Sequence, residues 1–178
     1  DVVIAKAIIN NDFQYVKTSI DNGYTFPDAK DPKFSTLLNA LMSAVKGKYW
    51  PLLDYIEANS PLTLKLTPLM KAAINGELWK LRYRLLLGDD VNAVDIQGAT
   101  ALFYAIDHQH EDTALLLLDK GADPTVVPAW LSLFDRHVTL LDHSVWSLPI
   151  MMALLESKTF TAEQVSQALS HAIGIRRL

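Results

Sequence analysis

Thr67-Pro68-Leu69-Met70-Lys71-Ala72-Ala73 and Thr100-Ala101-Leu102-Phe103-Tyr104-Ala105-Ile106 are two openings of one pattern, set 33 positions apart. The same shift carries Gly88 onto Gly121 and Asp90 onto Asp123. A fixed period of this size marks a tandem-repeat scaffold. Each unit is one supersecondary element that cannot bury its apolar face alone, so neighbours must stack. The stretch from Thr67 to Pro124 therefore decides the architecture.

Working outward, each unit reads as helix, tight turn, antiparallel helix. In the third, Leu69 to Ile74 is a first helix, Asn75-Gly76 the turn, and Leu78 to Leu87 a second helix stopped by Gly88. Ile96-Gln97-Gly98 reads as the tip of a turn. The fourth repeats the plan with Leu102 to Ile106, turn His108-Gln109-His110, Asp112 to Asp119, then Gly121-Ala122-Asp123-Pro124. A shift of 29 carries Ala44, Val45, Gly47, Trp50 and Leu52 onto Ala73, Ile74, Gly76, Trp79 and Leu81, which defines a second unit over about 39–61. The recurrence of Trp50 and Trp79 early in a second helix predicts ordinary packing for both. The first unit, about 2–30, has Ala5, Ala7, Ile8 and Ile9, a break at Asn10-Asn11-Asp12, then Phe13, Val16 and Ile20 at helical spacing, stopped by Asn22-Gly23. Tyr24 to Ser35 reads as a long loop.

After Pro128 the period fails, because a further step of 33 lands on Leu133 with no Thr-Pro-Leu start. Trp130, Leu131, Leu133 and Phe134 form one apolar patch, and Ile150 to Leu155 another, behind Pro149. Thr161 with Gln164 is a capping box, with Phe160 and Val165 spaced as a hydrophobic staple. Residues 129–178 are read as a divergent helical cap on a stack spanning 1–128, since repeat stacks need atypical ends.

The whole-chain numbers narrow the function classes. At 178 residues the chain can bury a substantial core. A net charge of −4 gives no electrostatic reason to expect nucleic acid or anionic membrane. With no cysteine there is no disulfide framework and no thiolate zinc site. No apolar run approaches the length of a membrane span, and no signal peptide is visible. The start at Asp1 reads as a processed end or an excised fragment.

The Thr67 to Ala73 opening, Asn75-Gly76, Leu85-Leu86, Asp90-Val91-Asn92-Ala93 and Gly121-Ala122-Asp123-Pro124 together resemble the ankyrin repeat. The likeness covers about the first 128 residues, and departs from the family where Met70 and Phe103 replace its usual histidine. The resemblance implies an all-α solenoid of stacked helix pairs with short hairpin-like fingers, closed here by divergent C-terminal helices. Leu81, Leu85, Leu86, Leu115, Leu117 and Leu118 are expected in the core shared between units. The family's common function is protein recognition by the concave face of finger tips and first helices. Carried over by position, the expected partner-binding residues are Leu64, Leu66, Ile74, Asn75, Ile96, Gln97, Asp107 and His108. Trp130 falls where the next finger would be and is also expected to bind the partner, with anchoring of the C-terminal helices on the stack as its competing reading. Burial of Leu64, Leu66 and Ile96 under adjacent fingers is the competing reading.

Catalytic chemistry is not expected. His108, His110, Glu111 and Asp112 sit at an inter-helix turn, where structural or solvated roles are the common case. His137, Asp142, His143 and Ser144 are near in sequence, which does not establish a triad. No phosphate-cradling glycine loop is present, and Arg176-Arg177 is a short basic run. The expectation is a monomeric intracellular module with a protein partner, no cofactor, no metal, no nucleic acid and no membrane. The alternative is a piece of a multidomain enzyme, or of a bacterial effector directed into host cells, with its activity in the C-terminal region or outside this segment.

Overall fold

The computed structural model describes residues 2–27, 31–60, 64–128, 131, 139–157 and 159–175, the last five of these by their backbone only. They cluster into two compact units, residues 1–64 and 65–178. The first holds α1 (Val2–Ile9), α2 (Phe13–Asp21), α3 (Phe34–Lys46) and α4 (Trp50–Asn59). α1 packs against α2 and α3, and α4 against α2 and α3. Asp12 starts α2 by accepting the Tyr15 N–H (3.0 Å), and Gly23 ends it with a positive φ of 91°. Pro51 lies in the first turn of α4, where its missing N–H is harmless. α3 begins at Phe34, so the expected loop from Tyr24 to Ser35 is shorter at its end and the second repeat starts earlier than 39. Lys33 leads into it through the Asp31 carboxylate, which accepts the Lys33 N–H (2.8 Å).

The second unit holds α5 (Pro68–Asn75), α6 (Leu78–Leu86), α7 (Ala101–Asp107), α8 (Glu111–Asp119), α9 (Leu140–His143), α10 (Leu148–Glu156) and α11 (Ala162–Ile175). The described residues are helical with no strand, as the all-α reading requires. α5 and α7 lie side by side, each backed by its own partner, α6 or α8. Both first helices start the same way. Thr67 and Thr100 are extended, and their hydroxyls accept the N–H of Met70 (3.1 Å) and Phe103 (3.2 Å). Leu69, Met70, Ala72, Ala73 and Ile74 of α5 and every residue from Ala101 to Ile106 of α7 are buried. The small alanines allow the close approach. Further back, Leu81, Ala114 and Leu117 are buried, and Leu85, Leu115 and Leu118 are half-buried.

α9 packs on α7 and α11, and α10 packs on α8. Ser147 starts α10: its hydroxyl accepts the Ile150 N–H (3.3 Å) and donates to Glu111 Oε2 at the head of α8 (2.5 Å). The capping box of α11 is formed, Thr161 N–H to Gln164 Oε1 (2.8 Å) and Gln164 N–H to Thr161 Oγ1 (3.3 Å). No helix among the described residues is long and apolar enough to cross a membrane.

Candidate functional site

The finger that precedes α7 is organised by one buried carboxylate. Asp95 Oδ1 accepts the N–H groups of Gln97 (2.8 Å) and Ala99 (2.9 Å), while the Asp95 N–H donates to Ala99 O (3.0 Å). Gly98 takes a φ of 81° to close the turn, which suits a residue without Cβ. Asp95 Oδ2 accepts the Tyr104 hydroxyl (2.5 Å). That buried bond ties the finger to α7. Burial, then the charge and hydrogen bond of Asp95, then the charge of Asp107, hold the Tyr104 phenol far above its ordinary range. It stays protonated and is a permanent donor to Asp95.

Tyr104, Asp107 and His108 fall at i, i+3 and i+4, one face of α7. The Tyr104 and His108 rings tilt together with centroids 6.5 Å apart, and His108 stacks on His110 at 6.3 Å. His110 then reaches back to the preceding repeat. Its Nε2 lies 3.0 Å from the Ile74 carbonyl oxygen, and because a carbonyl only accepts, Nε2 carries the proton. The imidazole covers Gly76, where a Cβ would come within 2.5 Å of Nδ1. Of His108, His110, Glu111 and Asp112, His110 is hydrogen-bonded to Ile74 and Glu111 to Ser147. Asp142 is likewise used locally, accepting from Thr139 N–H (2.8 Å), and Ser144 donates to Leu141 O (2.9 Å). His143 packs edge-on against Phe103. His137 lies outside the described residues.

A second link between repeats joins the two post-helix loops. Asp90 accepts the Asn92 N–H (2.9 Å) and Asp123 accepts the Thr125 N–H (2.8 Å), the same turn at a shift of 33. Asn92 Oδ1 accepts the Asp123 N–H (2.8 Å). Two hydrogen bonds from Thr125, hydroxyl then backbone, hold the Asp123 carboxyl below its ordinary range.

Of the expected contact residues, Ile96 is 37% exposed, Asp107 is exposed, and Leu66, Asn75, Gln97 and His108 are half-buried. Two expectations are corrected. Ile74 is completely buried, because α5 is closed in by α6 and α7; beyond Pro68, only Lys71 and Asn75 stay partly open on that helix. Leu64 is buried as well, since Glu57 of α4 accepts its N–H (2.9 Å) and ties it back in the first unit. Trp130 lies outside the described residues.

The largest departure is on α6. Leu86, expected in the core, is 85% exposed, and Leu87 is 57% exposed. Trp79, expected to pack, is 68% exposed with the Lys80 ammonium 5.5 Å from its ring centre, whereas Trp50 is half-buried. Tyr83 is 55% exposed. Trp79, Tyr83 and Leu86 are spaced i, i+4, i+7, so they form one stripe along the outside of the helix. Beside it, Arg82, Leu85 and Leu86 of α6 with Leu116, Asp119 and Lys120 line an open groove of 510 Å³. The signal was available in the residues. The shift of 33 puts Asp112, Leu116, Asp119 and Lys120 at the positions of Trp79, Tyr83, Leu86 and Leu87, which marks those positions as outward.

Repeated helix pairs that share a core, pinned by side chains that cross from one pair to the next, define a tandem-repeat solenoid protein. A family model of ankyrin repeats in three copies matches residues 34–127, more than half of the chain, and the chain belongs to the ankyrin-repeat family. It is similar to an ankyrin repeat protein of Fowlpox virus (strain NVSL), FPV034. The two are 29% identical over 144 residues, which are 80% of this chain and 34% of that protein. The chain spans about a third of that relative's length.

Proposed function

We propose that this chain is a protein-interaction module which grips a partner through the concave side of its repeats. One observation carries the proposal: the buried Asp95–Tyr104 bond fixes the finger to α7, so that Ile96 and Gln97 on the finger and Asp107 and His108 at the end of α7 make one rigid surface. Pre-set geometry of this kind lowers the ordering cost of binding. Asn75 and Leu66 extend the same surface on the preceding repeat. Proteins of this family are generally interaction modules, and this chain acts by binding rather than by catalysis. The stack occupies 1–128 and residues 129–178 close it; the Ser147–Glu111 bond and the seating of α10 on α8 support that division. The module acts as a monomer inside a cell, without cofactor, nucleic acid or membrane.

The test uses exposed residues only. Ile96→Asp combined with Asp107→Arg is expected to keep the wild-type circular dichroism and melting curve. In a quantitative pull-down, the double variant is expected to lose the partners that wild type retains. A folded double variant that retains every partner sinks the concave-face reading.

A further inference from the structure

We propose that the groove between α6 and α8, with the apolar stripe of α6 beside it, docks an amphipathic helix of a partner protein that carries carboxylates next to its apolar knobs. The proposal rests on the protein-binding reading of the fold and not on the concave face.

The scaffold does not need these apolar residues. At the positions of Trp79, Tyr83, Leu86 and Leu87, α8 carries Asp112, Leu116, Asp119 and Lys120. A shift of 29 puts Trp50, Asp54, Glu57 and Ala58 of α4 there. Both neighbouring repeats thus place carboxylates where α6 has Leu86, and each folds its helix with them. A contiguous stripe of Trp, Tyr and Leu left open to solvent on a folded helix is the composition of a contact centre.

Shape and charge select the occupant. Leu85, Leu86 and Leu116 are the apolar lining of the groove, between two neighbouring helices, which suits another helix laid along them. α6 carries Lys80, Arg82 and Arg84 and no acid. Lys80 is paired with Glu77 (2.7 Å), and Arg84 grips both oxygens of Asp89 (2.8 and 2.9 Å). Lys120 is paired with Asp119 (2.9 Å). Arg82, on the groove wall, is the cation without an ion pair among these described residues. An occupant with a carboxylate beside its apolar face completes that charge. A second copy of this chain would bring Lys80 and Arg82 against the same cations. An anionic bilayer would face a chain of net charge −4.

The experiment titrates the 178-residue chain into two fluorescein-labelled helical peptides, read by anisotropy. The peptides share one leucine stripe; their flanking positions are all glutamate in one and all lysine in the other. The glutamate peptide is expected to bind about tenfold more tightly than the lysine peptide. Leu86→Asp is expected to weaken it about tenfold or more, with an unchanged melting curve. Arg82→Glu is expected to reverse the preference, and Ile96→Asp to leave it alone, which separates this site from the concave face. The proposal is overturned if neither peptide binds, if both bind equally, or if folded Leu86→Asp binds like wild type. It is also overturned if vesicles of phosphatidylcholine and phosphatidylserine shift the tryptophan emission and the glutamate peptide does not.

Discussion

α6 and α8 hold the same place in successive repeats and turn different faces to the solvent. They agree at one inward position: Leu81 and Ala114 are both buried at a shift of 33. Their outward positions do not: Trp79, Leu86 and Leu87 on one helix answer to Asp112, Asp119 and Lys120 on the other. Inward residues are set by the neighbour they pack against, and change is costly there. Outward residues are free of the stack, so what they carry reflects what the molecule meets. α5 and α7 teach the same lesson in reverse. Ile74 and Asp107 are equivalent by the period, yet Ile74 is buried and Asp107 is exposed.

The comparison can be broken first at Ile74. Ile74→Asp places a carboxylate in a closed apolar site and is expected to cost about 4 kcal/mol or more. Loss of the cooperative melting transition would register it. A melt like that of wild type would mean that α5 is not closed in by its neighbours. Gly76→Ala comes next. The backbone there has a φ of 70° and the new Cβ would strike the His110 ring. A loss of about 2–3 kcal/mol by urea denaturation is expected. Adding His110→Ala to it should recover part of that loss, because the clash is removed and the strained φ is not. Tyr104→Phe deletes the donor to the buried Asp95 carboxylate and is expected to cost about 2 kcal/mol. Amide exchange at Gln97 and Ala99 should quicken in that variant, as the finger loses its tie to α7. Unchanged exchange would show the finger to be held by its own backbone turn.

Much of the fold was legible in the residues because period and punctuation are local. The turn at Gly76, the helix stops at Gly23 and Gly88, and the Thr161–Gln164 box all require only neighbouring positions. Ile74 and Leu64 were not legible as buried, because their burial depends on which helix or carboxylate closes over them. The start of α3 at Phe34 was missed because Pro27 and Pro32 drew attention to a loop. Leu86 was misread for a different reason. A run of three leucines, Leu85 to Leu87, hides where the inward face ends. Arg84 holds the position at which α8 has the buried Leu117, so the leucines of α6 lie further round toward solvent. Aligning the two helices residue by residue resolves the ambiguity.

The most direct test exchanges the outward face of one helix for that of the other. Trp79→Asp, Tyr83→Leu, Leu86→Asp and Leu87→Lys in one chain give α6 the outer residues of α8, and the thermal midpoint is measured. If these side chains serve contact and not scaffold, the midpoint should stay within about 4 °C of wild type, the shift that roughly 1 kcal/mol produces in a chain of this size. A fall of about 10 °C or more would contradict the account, by showing that the exposed stripe of α6 holds the stack together.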